Sequence, residues 1–253
     1  MSCHDWAGLA LGCLGLFDQA EERIHAAVEM ADSPGRVYGL ANALTHAARL
    51  HQLRGEPEAV ERGARHALAL AAGQGFAYQT AVARMLLGWA LAAREEREEG
   101  LDFLREGLTN HRSTGAEMDR PYFLALLAEA SIASGDLEAA RSALTEALGS
   151  TGTGRSFFYE AELHRLRGEL ELRSGEGLEV AERPFHAGLE VARRQGARSL
   201  ELRVALSLAR AQHAAGRDAD AAEALAPLSD WLLAEEGSAD LREARGLLQE
   251  LST

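Results

Sequence analysis

The sequence predicts an all-α protein made of about six helical hairpins and a C-terminal capping helix. Short glycine-containing breaks recur about every 40 residues, small side chains recur at fixed places between them, and no segment has a convincing strand pattern. We expect one domain over residues 1–253, with units at approximately 1–35, 36–75, 76–115, 116–155, 156–196 and 197–236 and a cap at 238–251.

Glycine marks the predicted breaks between helices. A first series steps by 40, 80, 40 and 41 residues through Gly15, Gly55, Gly135, Gly175 and Gly216. The place that this series skips is occupied by Glu95. A second series steps by 40 through Gly35, Gly75 and Gly115. Each unit therefore contains two helices and two breaks.

Small side chains define the expected packing inside each unit. The eighth place is always glycine or alanine: Gly8, Ala48, Gly88, Ala128, Gly168 and Ala209. The twentieth and twenty-seventh places are also mostly small, whereas the twenty-fourth is mostly bulky. Small residues let two helix backbones approach closely, and a larger residue between them fills the groove. This pattern predicts tightly packed hairpins.

The C-terminal end has its own signals. Pro227 predicts a kink or break in the helix that precedes Trp231, because proline cannot donate the interior helical hydrogen bond. Ser238 is a good N-cap residue for a last helix from Ala239 to Leu251. The polar residues of that helix suit a solvent-facing cap.

The repeat pattern resembles the tetratricopeptide repeat (TPR), which has small residues at places eight, twenty and twenty-seven and a bulky residue at twenty-four. More specifically, the chain is similar to the C-terminal TPR region of bacterial ATPase-linked class III nucleotide cyclases and MalT-like transcriptional regulators. The segments that carry this similarity are residues 51–54, 120–130, 158–170, 192–203, 225–228 and 241–245. The resemblance implies a right-handed α-solenoid that is part of, or derived from, a bacterial signalling regulator.

Composition excludes several classes of function. Asp and Glu number 39 against 26 basic residues, which gives a net charge of -13 and argues against direct binding to nucleic acid or an anionic membrane. Every basic residue is arginine, which excludes chemistry that needs a lysine. No secretory signal or membrane-spanning stretch is apparent. Cys3 and Cys13 are too far apart on one predicted helix to form a disulfide. We therefore expect a cytoplasmic protein.

Two local motifs favour simple structural interpretations. Residues 149–156 match a nucleotide-binding P-loop except that Arg155 replaces the lysine. A P-loop follows a strand, and the segment before this one reads as helix, so we interpret it as a connection between units. Glu160 and His164 are spaced as two metal ligands on one helix. We expect His164 to be a core or half-buried histidine, and we predict no metal and no cofactor.

The concave groove is the candidate binding site. In the TPR family the second, fifth, ninth and twelfth places of the first helix line the inner surface. Carried over place by place, the resemblance implies a partner-binding groove that includes Asn42, Arg49, Met85, Trp89, Tyr122, Glu129, Glu162, Arg165, Glu169, Arg203, Arg210 and His213. Trp, Tyr and Arg are frequent in binding hot spots. The alternative interpretation is that Glu162, Arg165, Glu169 and Arg203 only pair with one another between adjacent helices.

Three functions are compatible with this groove. The first is a non-catalytic interaction module that binds a peptide or a partner domain and regulates it. The second is a small-molecule sensor, as in MalT-like regulators, with a pocket near Trp89 and Tyr122. The third is an enzyme that uses the carboxylates of Glu162 and Glu169, which lie seven residues apart on one helix face. Because no catalytic motif is present, we expect a protein that is not an enzyme.

Overall fold

A computed structural model describes residues 3–33, 35–117, 119–151 and 158–252, and it is helical with no strand within those ranges. The prediction of an all-α protein is confirmed. The helices in chain order are α1 (Cys3–Cys13), α2 (Phe17–Ala31), α3 (Val37–Arg54), α4 (Pro57–Ala72), α5 (Ala77–Ala93), α6 (Arg97–Ser113), α7 (Arg120–Ser134), α8 (Leu137–Thr151), α9 (Glu160–Arg173), α10 (Leu178–Gln195), α11 (Arg198–Ala214), α12 (Asp218–Leu225), α13 (Ser229–Ala234) and α14 (Ala239–Glu250).

The breaks between helices use left-handed backbone. Gly55 and Gly135 end α3 and α7 with φ values of 72° and 84°. Glycine adopts this conformation readily because it has no Cβ. Glu95 occupies the corresponding place after α5, and it also has a positive φ of 72°. The backbone thus keeps the period even where the sequence lacks the glycine.

The eighth and twenty-fourth places meet inside the hairpins. A Cβ added to Gly8 would lie 2.6 Å from Ile24 Cγ1, and one added to Gly168 would lie 2.5 Å from Phe185 Cε1. A Cβ on Gly88 would lie 2.6 Å from the carbonyl oxygen of Gly100. These separations are shorter than van der Waals contact, so larger side chains would push the paired helices apart.

Odd-numbered and even-numbered helices have different environments. Helix α5 buries twelve of its 17 residues, whereas α4 buries four of its 16 along one stripe. Each even-numbered helix up to α10 packs against the odd-numbered helices before and after it. We call α1, α3, α5, α7, α9 and α11 the inner helices.

The inner helices form a closed ring. Each packs against the next one, and α11 also contacts α1. At this seam Ser199 Oγ donates a hydrogen bond to the Cys13 carbonyl oxygen at 2.9 Å. The C-terminal segment strengthens the closure, because Arg54 Nε donates to the Gly237 carbonyl oxygen at 2.7 Å. The first and last units are therefore neighbours in space.

The C-terminal segment follows the sequence signals. Pro227 lies in a 3-10 turn, Ala226–Leu228, that separates α12 from α13. The Ser238 hydroxyl accepts a hydrogen bond from the Leu241 backbone N–H at 3.2 Å and caps α14. Both predictions are confirmed, although α14 ends at Glu250 rather than Leu251.

Other expectations can be compared directly. Cys3 and Cys13 are free thiols, as predicted. The P-loop-like motif begins within α8, so a helix precedes it, and its residues 152–156 lie outside the described part of the chain. None of the helices that the structure describes has the length and apolar character needed to cross a bilayer.

Candidate functional site

The predicted groove residues all lie on the inner helices, and most of them are buried. Arg49 is 3% exposed and Glu162 is fully buried. Met85 also has no exposed surface, but it packs against Gly107 of α6 and so faces the partner helix of its own hairpin rather than a groove. The other buried members are Asn42, Trp89, Tyr122 and Arg165, and the half-buried members are Glu129, Glu169 and Arg203.

One polar group surrounds Arg49 in α3. Its Nη2 donates to Asp119 Oδ2 at 2.9 Å, and both side chains are almost entirely buried. Tyr78 Oη donates to the same carboxylate oxygen at 3.0 Å. Burial raises the pKa of Asp119, but the Arg49 charge and these hydrogen bonds outweigh burial and lower the pKa. The guanidinium also lies about 5.2 Å from the ring centroid of Tyr122, within cation–π range.

The Arg49 group extends to α1 and α5 through amides. Asn42 Nδ2 donates to Asp5 Oδ2 at 3.0 Å, and Gln79 Nε2 donates to Asn42 Oδ1 at 3.0 Å. These hydrogen bonds join three inner helices. They fix the position of the polar groups at this end of the interior.

Two tyrosines and one glutamine connect opposite sides of the ring. Tyr122 Oη donates to Gln52 Oε1 at 3.0 Å, and Gln52 Nε2 donates to Tyr159 Oη at 3.2 Å. Gln52 and Tyr159 are 107 residues apart in sequence. Burial raises the pKa of both tyrosines, so they remain protonated hydrogen-bond donors at neutral pH.

A second polar group surrounds Arg165 and Arg203. Arg165 forms a bidentate pair with Glu162 at 2.6 and 2.9 Å, and Arg203 Nη2 lies 3.6 Å from the same carboxylate. Burial alone would raise the pKa of Glu162, but the two arginine charges outweigh burial and lower it. Trp89 Nε1 donates to Glu129 Oε2 at 2.7 Å, which brings α5 into the group.

Further contacts complete this second group. Arg165 Nη1 lies 3.5 Å from Glu169 Oε1, and Arg203 Nε lies 3.4 Å from Asp240 Oδ2 in α14. Arg203 Nη1 also donates to Tyr159 Oη at 3.1 Å, which links this group to the central tyrosines. Glu162, Arg165, Glu169 and Arg203 therefore do form ion pairs, both within α9 and between α9 and α11, but Glu129 and Asp240 also take part.

Arg210 and His213 lie apart from the other predicted groove residues. Both are exposed near the end of α11. Arg210 pairs with Glu243, and His213 Nδ1 lies 2.6 Å from Asp218 Oδ1. They border a separate surface cleft against α14.

Histidines in the structure fit packing roles. His164 is half-buried, as expected, and burial lowers its pKa. His111 is fully buried between the rings of Tyr78 and Phe123, and burial lowers its pKa. Within the described ranges there is no cluster of three His, Cys, Asp or Glu side chains that could hold a metal ion.

A large apolar pocket opens at the seam of the ring. We call this cavity of about 650 Å³ the seam pocket. Its volume lies within the range typical of small-molecule sites. The lining comes from α1, the end of α10 and the segments before α9 and α11: Trp6, Leu9, Ala10, Cys13, Leu14, Phe158, Arg194, Gln195 and Ala197.

A smaller space, the inner chamber, shares three lining residues with the seam pocket. This inner chamber has a volume of about 10 Å³, enough for about one water molecule or one polar atom. Leu9, Cys13 and Phe158 line both spaces. The remaining chamber residues are Arg49, Gln52, Leu53, Tyr122 and Tyr159. Polar residues thus stand among the chamber's lining residues, whereas the seam pocket is lined mainly by apolar ones.

The predicted site omitted several residues of the interior. Asp119 immediately precedes α7, and Tyr159 immediately precedes α9. Gln79, Asp119 and Tyr159 are spaced at intervals of 40 residues. This spacing was a usable signal, because it places them at equivalent positions in successive units. Asp240 gave no comparable signal, since it belongs to the cap rather than to a repeat.

No protein-family model matches the chain. An uncharacterized protein from Rhizobium meliloti (strain 1021) is 32% identical over 121 residues, which is 48% of this chain and 12% of that protein. The chain therefore aligns with a small part of a much longer protein.

Proposed function

We propose that the protein is a non-catalytic binding module that holds a small molecule in its seam pocket. The single observation that carries this proposal is the seam pocket, a mainly apolar cavity of about 650 Å³ with Arg194 and Gln195 among its lining residues. Such a combination of apolar walls and a few fixed polar groups is typical of small-molecule sites. Of the functions expected from sequence, the sensor is therefore the one that the geometry supports best. The pocket is not where the sequence predicted it, however, because Trp89 and Tyr122 are buried in the interior and do not line the seam pocket.

We further propose that the fold is a TPR-like right-handed α-solenoid of six hairpins and a cap that closes on itself. The contacts of Gly8 with Ile24 and of Gly168 with Phe185 support this, because they join the small eighth place to the bulky twenty-fourth place. Closure buries the inner surface. A peptide lying in an open groove has less support, since Arg49, Gln52 and Glu162 are already buried and hydrogen-bonded there.

A regulatory role beside a partner domain is the second part of the proposal. Its support is the alignment with 12% of a much longer protein, which suits a module that acts on other domains. A partner would contact the outer face of the ring rather than the filled interior. The two free thiols support a cytoplasmic location.

An enzyme that uses Glu162 and Glu169 has no support from the geometry. Glu162 is fully buried, and both of its oxygens accept hydrogen bonds from Arg165. Its lowered pKa keeps it ionised, so it cannot supply a proton near neutral pH.

A thermal-shift screen with a metabolite library tests the binding proposal. A ligand that binds only the folded protein raises the melting temperature in a concentration-dependent way. The exposed Ala10 lines the seam pocket, so Ala10→Phe should abolish the shift by filling the cavity. Ala133→Phe is the matched control, because Ala133 is an exposed alanine of α7 outside the pocket. Hits whose shift is unchanged in Ala10→Phe would refute the site.

A further inference from the structure

The seam pocket has one charged side chain among its described lining residues. This is Arg194, which lies in the last turn of α10 and is exposed to solvent. Cys13 is the other ionisable lining residue, but burial raises its pKa to about 12, so its thiol is uncharged at neutral pH. The described lining therefore presents a single positive charge and no negative charge.

Arg194 is accessible to an acidic ligand. Its neighbour Arg193 pairs with Glu201 at 2.7 Å, whereas no carboxylate of the described residues forms an ion pair with Arg194. A guanidinium presents a planar set of donors that matches the two oxygens of a carboxylate. Because Arg194 is exposed, such a pair would form next to water, and the carboxylate would avoid most of the cost of burying a charge.

The walls of the seam pocket define the rest of the ligand. Trp6 packs edge-on against His46 with ring centroids 5.2 Å apart, and Phe158 stacks on Tyr122 with centroids 6.1 Å apart. These contacts fix the orientation of two aromatic walls. Leu14 also lines the pocket and is 41% exposed, so an apolar ligand that covered it would remove apolar surface from water. A compatible ligand therefore has an apolar body.

The number of charges limits the anionic group. One arginine balances one negative charge, whereas a phosphate monoester carries about -1.5 to -2 charges near neutral pH. The excess would remain unbalanced in a protein whose net charge is already -13. An ammonium group would be repelled by Arg194, and the described lining residues offer it no carboxylate. A single carboxylate is the charged group that fits this lining.

We propose that the seam pocket binds an amphipathic monocarboxylate, an organic acid with an apolar aromatic or aliphatic body, and that its carboxylate pairs with Arg194. This inference rests on the proposed function and names its ligand class. The apolar body lies against Trp6, Leu14 and Phe158, and the carboxylate stays at the solvent-exposed edge of the pocket.

Three probes of similar shape and different charge test this assignment. Phenylbutyrate carries the carboxylate, phenylbutanol is neutral, and phenylbutylamine is a cation at neutral pH. Each is titrated while the NMR signal of the Trp6 indole N–H, assigned with Trp6→Phe, reports binding at the pocket wall. An accessible ion pair changes affinity by up to about fivefold, so phenylbutyrate should bind about fivefold more tightly than phenylbutanol. Phenylbutylamine should bind most weakly of the three, although the net charge of -13 acts in its favour.

Variants at exposed positions separate the charge from the apolar walls. Arg194→Gln should abolish the advantage of phenylbutyrate and leave the affinity for phenylbutanol within about twofold. Arg194→Glu should reverse the order, so that phenylbutylamine binds more tightly than phenylbutyrate. Arg183→Gln is the matched control, because Arg183 is an exposed arginine of the same helix outside the pocket. It lies about 16 Å away along α10, beyond the Debye length of about 8 Å at physiological ionic strength, so it should change none of the affinities.

The failures of the two proposals are distinguishable. Equal binding of phenylbutyrate and phenylbutanol, or no binding of phenylbutyrate, overturns the carboxylate assignment and leaves Arg194 only to complement the partial negative charge at the end of α10. Binding of phenylbutyrate that Ala10→Phe does not weaken also overturns it, because the acid then lies outside the seam pocket. If a metabolite nevertheless gives a thermal shift that Ala10→Phe removes, the small-molecule function stands with a different ligand. If no metabolite does, the proposed function fails as well.

Discussion

The substitution Gly88→Ala tests the packing of the hairpins most directly. A Cβ at this position would lie 2.6 Å from the Gly100 carbonyl oxygen and 2.8 Å from the Leu104 backbone nitrogen. Both atoms belong to the backbone of α6, so no side chain can rotate away and the two helices must separate. Overpacking of this kind costs about 3 kcal/mol at the upper end of its usual range, and alanine recovers about 1 kcal/mol of helix propensity. We expect a net loss of about 2 kcal/mol in the free energy of unfolding.

Gly246→Ala is the matched control. Gly246 lies inside α14, and a Cβ there would meet no heavy atom within 4 Å. The same substitution should therefore stabilise the protein by up to about 1 kcal/mol through helix propensity. Urea unfolding followed by far-UV circular dichroism measures both variants against the parent protein. If Gly88→Ala were as stable as the parent protein or more stable, the packing argument would be refuted.

Three further predictions concern one backbone position, the two cysteines and two buried histidines. Glu95→Gly should raise the free energy of unfolding by about 0.5–1 kcal/mol, since Glu95 has a φ of 72°; a lower thermal melting temperature would contradict this. A thiol reagent should label the exposed Cys3 in the native protein. It should label Cys13 only after unfolding, because Cys13 is buried and burial raises its pKa to about 12. Rapid labelling of both thiols in the native protein would be inconsistent with the structure. Burial lowers the pKa of His46 and His111, so below about pH 6.5 the unfolded chain binds more protons than the folded protein does. The free energy of unfolding should therefore fall as the pH drops through that value. A urea midpoint that stays constant between about pH 7 and 5 would argue against this.

Much of the fold could be predicted because the relevant contacts are local in sequence. Gly8 and Ile24 are sixteen residues apart and meet within one hairpin. The break at Glu95 could be located from the spacing of its neighbours, although its own side chain is unsuited to a left-handed turn. Ser238 and Pro227 act through the backbone of their own segments. These features depend on helix period, turn conformation and side-chain size, which can be read from one sequence.

The candidate site was only partly predictable. The place-by-place argument found Arg49, Trp89 and Glu162, and the structure does turn these residues toward the ring interior, where they are buried. It also selected Arg210 and His213, which lie apart on an exposed surface near the end of α11, where Arg210 pairs with Glu243 of α14. Sequence spacing gives the face of a helix, but it does not give what lies opposite that face.

The sequence by itself therefore determined the helices, their breaks and the contacts between neighbours. Only the tertiary structure decided that α11 returns to α1, that Gln52 reaches Tyr159 across 107 residues, and that the inner face is filled rather than open. The physical reason is that each unit contacts mainly its neighbours, so local sequence determines only the small rotation between one unit and the next. Whether those rotations sum to a closed ring depends on all of them together, and closure is what creates the seam pocket.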